Sequence, residues 1–251
     1  MTKITEKLKR FVIANKTKPD LPYINLTDDN RYAGWVNASG SNSDNLWLKL
    51  DLKKEWDTFC LFVLASAWSR QGRWENAVHF VIAIREKFTN IKSIDFDKLR
   101  NHCDFYTKKH GKILKGTGKT RIMISFGQDL YRSIKILCKN WSEIKRNLDK
   151  SGKSGDWKGF IRYLRGVKGL GNGNKAMKIK ILLILRELRC QNIYKNIPGD
   201  LCCVPDKRVK EAYEDGQIGN LRGYIKASKQ IYEDFGDLFD IPAFAYNDYV
   251  G

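Results

Sequence analysis

The sequence predicts a mostly α-helical protein, on three observations. Apolar residues recur at spacings of three and four through most of the chain after residue 50. No stretch beyond that point alternates apolar and polar residues with the period of two that a half-buried strand requires. No internal repeat of roughly 20–50 residues divides the chain into an array.

Taken in order, residues 3–14 read as a short amphipathic helix with Ile4, Leu8, Phe11 and Val12 on one face, broken by Lys18-Pro19-Asp20-Leu21-Pro22. Residues 23–50 are rich in Asn, Asp, Ser and Gly, irregular in pattern, and leave room for a small hairpin. Residues 1–50 are therefore expected to form an N-terminal extension and residues 51–251 the helical domain. Trp56, Phe59, Cys60, Val63, Leu64, Ala67 and Trp68 share one helical face. Ser69–Arg73 is a turn, and Trp74, Ala77, Val78, Val81 and Ile82 begin the next helix. Helices are expected at about 95–108, 119–139, 141–149, 155–165, 175–190, 207–216, 218–235 and 238–249, with a basic, glycine-bearing loop at Gly111–Gly118.

The 251 residues can build one large domain or two packed lobes, and 42% apolar content is enough for a real core. Lys and Arg number 46 against 28 Asp and Glu, a net charge of +18. Such an excess repels itself in the folded state and points to a polyanionic partner, with nucleic acid ahead of an anionic membrane surface. Basic residues cluster at Lys108–Lys109, Lys112–Lys119, Lys150–Lys153, Lys158–Lys168 and Lys175–Lys180, a spread that suits a broad DNA-contacting face better than a targeting tail. Cys60, Cys103, Cys138, Cys190, Cys202 and Cys203 form no C-x-x-C pair and no cluster-binding run, so they read as reduced, buried thiols. Neither a metal nor an organic cofactor is implied. The N-terminus carries acids and lacks an apolar core, and no apolar run spans a bilayer. The expectation is a soluble, cytoplasmic monomer.

The most informative stretch runs from Tyr163 to Met177. One helix should end near Leu164, and a second, apolar almost all round and hence buried, should begin near Asn174 as N-cap. Between them lies a glycine hairpin with Lys168, Gly169, Gly171, Gly173 and Asn174. Backbone N–H groups at such a hairpin can cradle a DNA phosphate without reading sequence, although a plain helix-to-helix turn uses the same residues. Lys175 is expected in the first turn of the buried helix, with Lys178 on the same face. Helix dipole, like charge and desolvation would all disfavour its ammonium form and leave an amine nucleophile; a phosphate-contacting lysine is the other reading. Asp206 follows 31 residues later in Val204-Pro205-Asp206-Lys207-Arg208-Val209. It reads as a helix N-cap, and a carboxylate held there stays ionised and could stabilise positive charge on a sugar.

These residues resemble the helix–hairpin–helix DNA glycosylases, and within them the archaeal 8-oxoguanine glycosylase branch. That branch also has a long insertion between lysine and aspartate. Asn174–Leu182, Val204–Val209, Arg73-Trp74-Glu75-Asn76 and Ile241-Pro242 carry the resemblance, which covers roughly residues 54–251. It implies a two-lobed helical fold with the active site in the cleft between lobes and the helix–hairpin–helix at about 155–190. It also implies that Lys175 and Asp206 are catalytic, that Trp74 and Trp68 stack on a flipped base, and that Lys178, Tyr246, Asn247 and Asp248 complete the base pocket. The partner would be double-stranded DNA carrying a damaged or modified base. The branch's last helix continues further and supplies pocket residues, so this chain closes its pocket differently. That difference leaves open a bulky base such as a phage-modified cytosine, excised in antiviral defence. A non-enzymatic protein that reuses the hairpin to bind DNA is the third reading.

Overall fold

In the computed structural model, which describes residues 10, 40–41, 46–48, 50–68, 74–104, 120–168, 170, 177–205, 207–215 and 222–236, helices carry nearly all the regular structure. No helix among the described residues is long and apolar enough to cross a membrane. The chain divides into two compact units, Leu50–Met177 and a second made of Met1–Lys49 with Lys178–Gly251. Of the helices expected at 3–14 and 238–249, only Arg10, which is helical, lies within the described residues.

The unit Leu50–Met177 is built around α1 (Glu55–Trp68), in which every residue from Asp57 to Ala67 is buried. Glu55 and Asp57 place negative charge in the first turn, where the helix dipole favours it. The entry is pinned twice. Asp51 donates its N–H to Asp57 Oδ2 at 2.8 Å, and Thr58 Oγ1 donates to the Leu52 carbonyl at 2.9 Å. Asp57 also pairs with Arg85 on α2 (Trp74–Lys87) at 3.0 Å. A buried carboxylate held this way is worth little net, but removing its partner would cost about 3–5 kcal/mol. A 3-10 turn, Ile91–Ser93, precedes α3, the helical stretch 96–104.

The next helix corrects the sequence reading. Helices expected at 119–139 and 141–149 are one helix, α4 (Thr120–Ser154), 35 residues and about 52 Å long at 1.5 Å per residue. Leu130, Ile134, Leu137, Trp141, Ile144, Leu148 and Ser151 are buried at alternating four- and three-residue steps, so the apolar seam runs straight through the expected break. Asn140, which falls between the two expected helices, donates from Nδ2 to the Ile136 carbonyl of its own helix at 2.7 Å. Trp141 packs edge-on against Phe59 and Phe62 of α1, at 5.1 and 5.3 Å between ring centroids, and donates to Glu55 at 2.8 Å. Helix α4 stops at Gly155, whose φ of 76° lies in the left-handed region. Asp156 then caps α5 (Trp157–Gly166) by accepting the Gly159 N–H at 2.8 Å.

The second unit holds a two-stranded antiparallel pair, β1 (Gly40–Ser41) and β2 (Leu46–Trp47), within the stretch where the sequence left room for a hairpin. Its α6 (Ile179–Cys190) is buried continuously from Lys180 to Leu188. A 3-10 turn, Gly199–Leu201, packs against α6 and against α8 (Ile225–Phe235). Between them comes α7 (Lys207–Asp215). Helix α8 begins at residue 225, not at 218, because Gly223 sits at φ 68°, a conformation that no helix can run through.

Candidate nucleic-acid interface

The glycine-bearing segment is flanked in the chain by two described helices. On its near side α5 has Trp157, Phe160, Ile161 and Leu164 buried, with Trp157 and Phe160 edge-to-face at 6.3 Å. The opposite face carries Lys158, Arg162 and Arg165, all exposed, at spacings of four and three and hence on one side. Lys168, just past the helix end, is exposed as well. The helix contains no acidic residue, so this face has a single sign of charge.

On the far side the structure alters the reading of the lysine. The second helix starts at Ile179, not near Asn174, and its N-cap is Lys178. Lys178 is exposed and makes no side-chain capping bond. Asn174 is therefore not the N-cap, and Lys175 precedes the helix instead of occupying its first turn. Gly and Asn propagate a helix poorly, which is consistent with a start beyond the last Gly-Asn pair. The dipole argument for a deprotonated amine, which acts within the first turn, no longer applies to Lys175. The flanking residues Leu170 and Met177 are buried. Gly169, Gly171, Gly173, Asn174 and Lys175 themselves lie outside the described residues.

The segment approaching Asp206 is firmly anchored. Leu201 through Pro205 are buried, and Cys203 donates its N–H to the fully buried Ser228 Oγ on α8 at 3.1 Å. On α7, Tyr213 donates to Asp234 Oδ2 at 3.2 Å and packs edge-on against Phe235 at 5.7 Å. Burial, and then the charge of Asp234, push the Tyr213 phenol well above its ordinary range, so it stays protonated and keeps donating. Asp206 is the residue immediately before α7 in the chain and lies outside the described residues. Trp68 closes α1 and Trp74 opens α2, but their side chains, together with Tyr246, Asn247 and Asp248, also fall outside them.

Of the predicted site, the described residues thus place Lys168 and Lys178, both exposed, and the helices on either side of the hairpin. No group of three His, Cys, Asp or Glu side chains that could hold a metal occurs among them. Burial raises the thiols of Cys103 to about 12 and Cys138 to about 11, and lifts those of Cys60 and Cys202 as well. They are accordingly poor nucleophiles at neutral pH.

Sequence reasoning picked out Lys150–Lys153 but missed that these residues continue a longer run of cations on α4. Arg132, Lys135, Lys139, Arg146, Lys150 and Lys153 are all exposed. Reading only consecutive basic clusters hides them; reading Lys and Arg at helical spacing finds them. No model of a known family matches the chain, and no curated protein and no solved structure proved similar to it.

Proposed function

We propose that this chain is a DNA glycosylase that takes a damaged or modified base out of a duplex and cleaves its bond to the sugar. The observation that carries the reading is a succession in the chain: one helix, α5, with a basic outer face, then a Gly-Leu-Gly-Asn-Gly segment followed by Lys175, then a second, buried helix, α6. The anchored segment that delivers Asp206 to the start of α7 adds to it. In this reading the two units correspond to the two lobes of a helix–hairpin–helix fold, and the protein acts on DNA in the cytoplasm. The hairpin residues Gly169, Gly171, Gly173 and Asn174, with Lys168, hold backbone phosphates. Trp74 and Trp68 stack on the extruded base, with Lys178, Tyr246, Asn247 and Asp248 completing its pocket. Asp206 stabilises positive charge at C1′ as the base departs. The Lys175 amine adds to C1′ as the C1′–N bond breaks and the base leaves with a proton; the C1′–O4′ bond then opens, O4′ taking a proton, to give an imine that permits β-elimination of the 3′ phosphate. By resemblance the base is an oxidised purine of the 8-oxoguanine type.

Borohydride reduction tests this directly. Duplexes each carrying one modified base, including 8-oxoguanine and a glucosylated cytosine, are incubated with the protein and reductant. A covalent protein–DNA adduct that disappears in Lys175→Gln is expected, with excision strongly reduced in Asp206→Asn. Neither adduct nor base release with any substrate would sink the proposal.

A further inference from the structure

On α4, Arg132, Lys135, Lys139, Arg146, Lys150 and Lys153 follow one another at steps of three, four, seven, four and three. At about 100° per residue these six fall within an arc of about 60°, and they span about 32 Å along the helix axis. All six are exposed, directly opposite the apolar seam of Leu130, Leu137, Trp141 and Leu148. Two acids of the stretch have described ion pairs. Asp149 pairs with Lys145, which lies off the stripe of six, and Glu143 reaches Arg146 only at 3.9 Å from the stripe's edge. At the other end aromatic rings steady the cations without covering them. Lys135 Nζ stands 5.4 Å from the ring of Phe96 and 5.6 Å from that of Tyr131, and the Arg100 guanidinium lies 5.1 Å from Tyr131. Like charges three and four residues apart destabilise a helix, so this arrangement works against the stability of α4.

We propose that this face of α4 is a second DNA-binding surface, distinct from the hairpin, that lies along the phosphate backbone of duplex DNA over about one helical turn. The length of the stripe matches the roughly 34 Å repeat of a duplex. Its run of six exposed cations suits sequence-independent phosphate contact. The inference stands apart from the excision reading, since backbone binding requires neither Lys175 nor Asp206.

The test measures affinity for an unmodified duplex of about two turns as a function of salt, in the wild type and in the triple variant Lys139→Gln/Lys150→Gln/Lys153→Gln. Loss of three phosphate contacts should lower the slope of log affinity against log salt by about 2.7. The matching Lys→Arg triple should keep the wild-type slope, and unchanged melting temperatures would show that both variants fold. An unaltered slope in the Gln triple overturns the proposal. So does wild-type binding to single strands, or to vesicles of anionic phospholipid, that equals or exceeds binding to duplex. If the Gln triple shows the lowered slope while no modified duplex is ever cleaved by the wild type, the stripe stands and the glycosylase reading falls.

Discussion

Helices α4 and α6 contrast in a way that separates what burial reveals from what it conceals. In α4 the buried residues keep to one seam, and the outer face is free to carry charge in a pattern of its own. In α6 nine consecutive residues, Lys180 to Leu188, are buried, so its phase carries no information about an outer face. The polar residues inside it, Lys180, Arg186 and Glu187, each interact with other groups of the molecule, as polar side chains in a low-dielectric interior must. A one-sided helix displays its partner's chemistry on its surface. A helix buried all round displays only the requirements of packing.

Truncation scanning breaks or sharpens this contrast with the largest effect. Alanine at Leu182, Leu183, Ile184 or Leu185 should cost about 2–5 kcal/mol each, whatever the helical phase. In α4 comparable losses should appear only on the seam, with Trp141→Ala near the top at about 3–5 kcal/mol because it also breaks the bond to Glu55. Glutamine at Lys139 or Lys150 should stay within about 0.5 kcal/mol. Urea unfolding of each variant reads the pattern, and a periodic result in α6 would contradict its uniform burial.

Acid sensitivity comes next. His102 is buried against Phe80, at 6.0 Å between rings, and neither ring nitrogen meets a partner among the described residues. Burial, with a smaller contribution from Lys87, depresses its pKa from 6.5 to about 4. The unfolded chain therefore binds the proton first. His102 leaves stability untouched above about pH 6.5 and subtracts from it progressively as pH falls toward 4, at up to about 1.4 kcal/mol per pH unit. His102→Leu should unfold less readily than the wild type, by a margin that widens across this window. A pH-independent margin would show that the ring is not held neutral.

The smallest effect concerns the start of α5. Asp156→Ala should cost about 1 kcal/mol through loss of the cap. A Cβ on Gly159 would come within 2.1 Å of Asp156 Oδ2, so Gly159→Ala should displace the cap and forfeit the roughly 1 kcal/mol that alanine otherwise adds inside a helix. In the Asp156→Ala background the same change should stabilise, and thermal melts of the four proteins close the cycle.

The helices were legible where apolar spacing was long and uninterrupted, as from Trp56 to Ala67. They were misread where one polar residue or a glycine run outweighed the pattern around it. The expected gap at Asn140 closes because its side chain folds back on the Ile136 carbonyl, which a sequence does not show. The start of α6 was placed too early because an apolar stripe says where a helix is buried, not where its first turn forms. For the candidate site, the two helices that flank the glycine-bearing segment and the exposed Lys168 and Lys178 could be read directly. The stripe on α4 could not, because its six cations converge only once Thr120–Ser154 is known to be a single helix.

The division of the chain has a consequence for its biogenesis. The unit Leu50–Met177 is continuous in sequence and can complete its core as soon as it leaves the ribosome. The other unit joins residues up to Lys49 with residues from Lys178 onward, so it must wait for the C-terminal third and close a loop across the whole inserted unit. For an unstructured loop of that size the length-dependent entropy would be about 4 kcal/mol. An inserted unit that has already folded brings its own two ends to a fixed separation and changes that cost. The order of synthesis thus lets the continuous unit fold before the other can, and a truncation after Met177 is the natural place to look for an independently folding fragment.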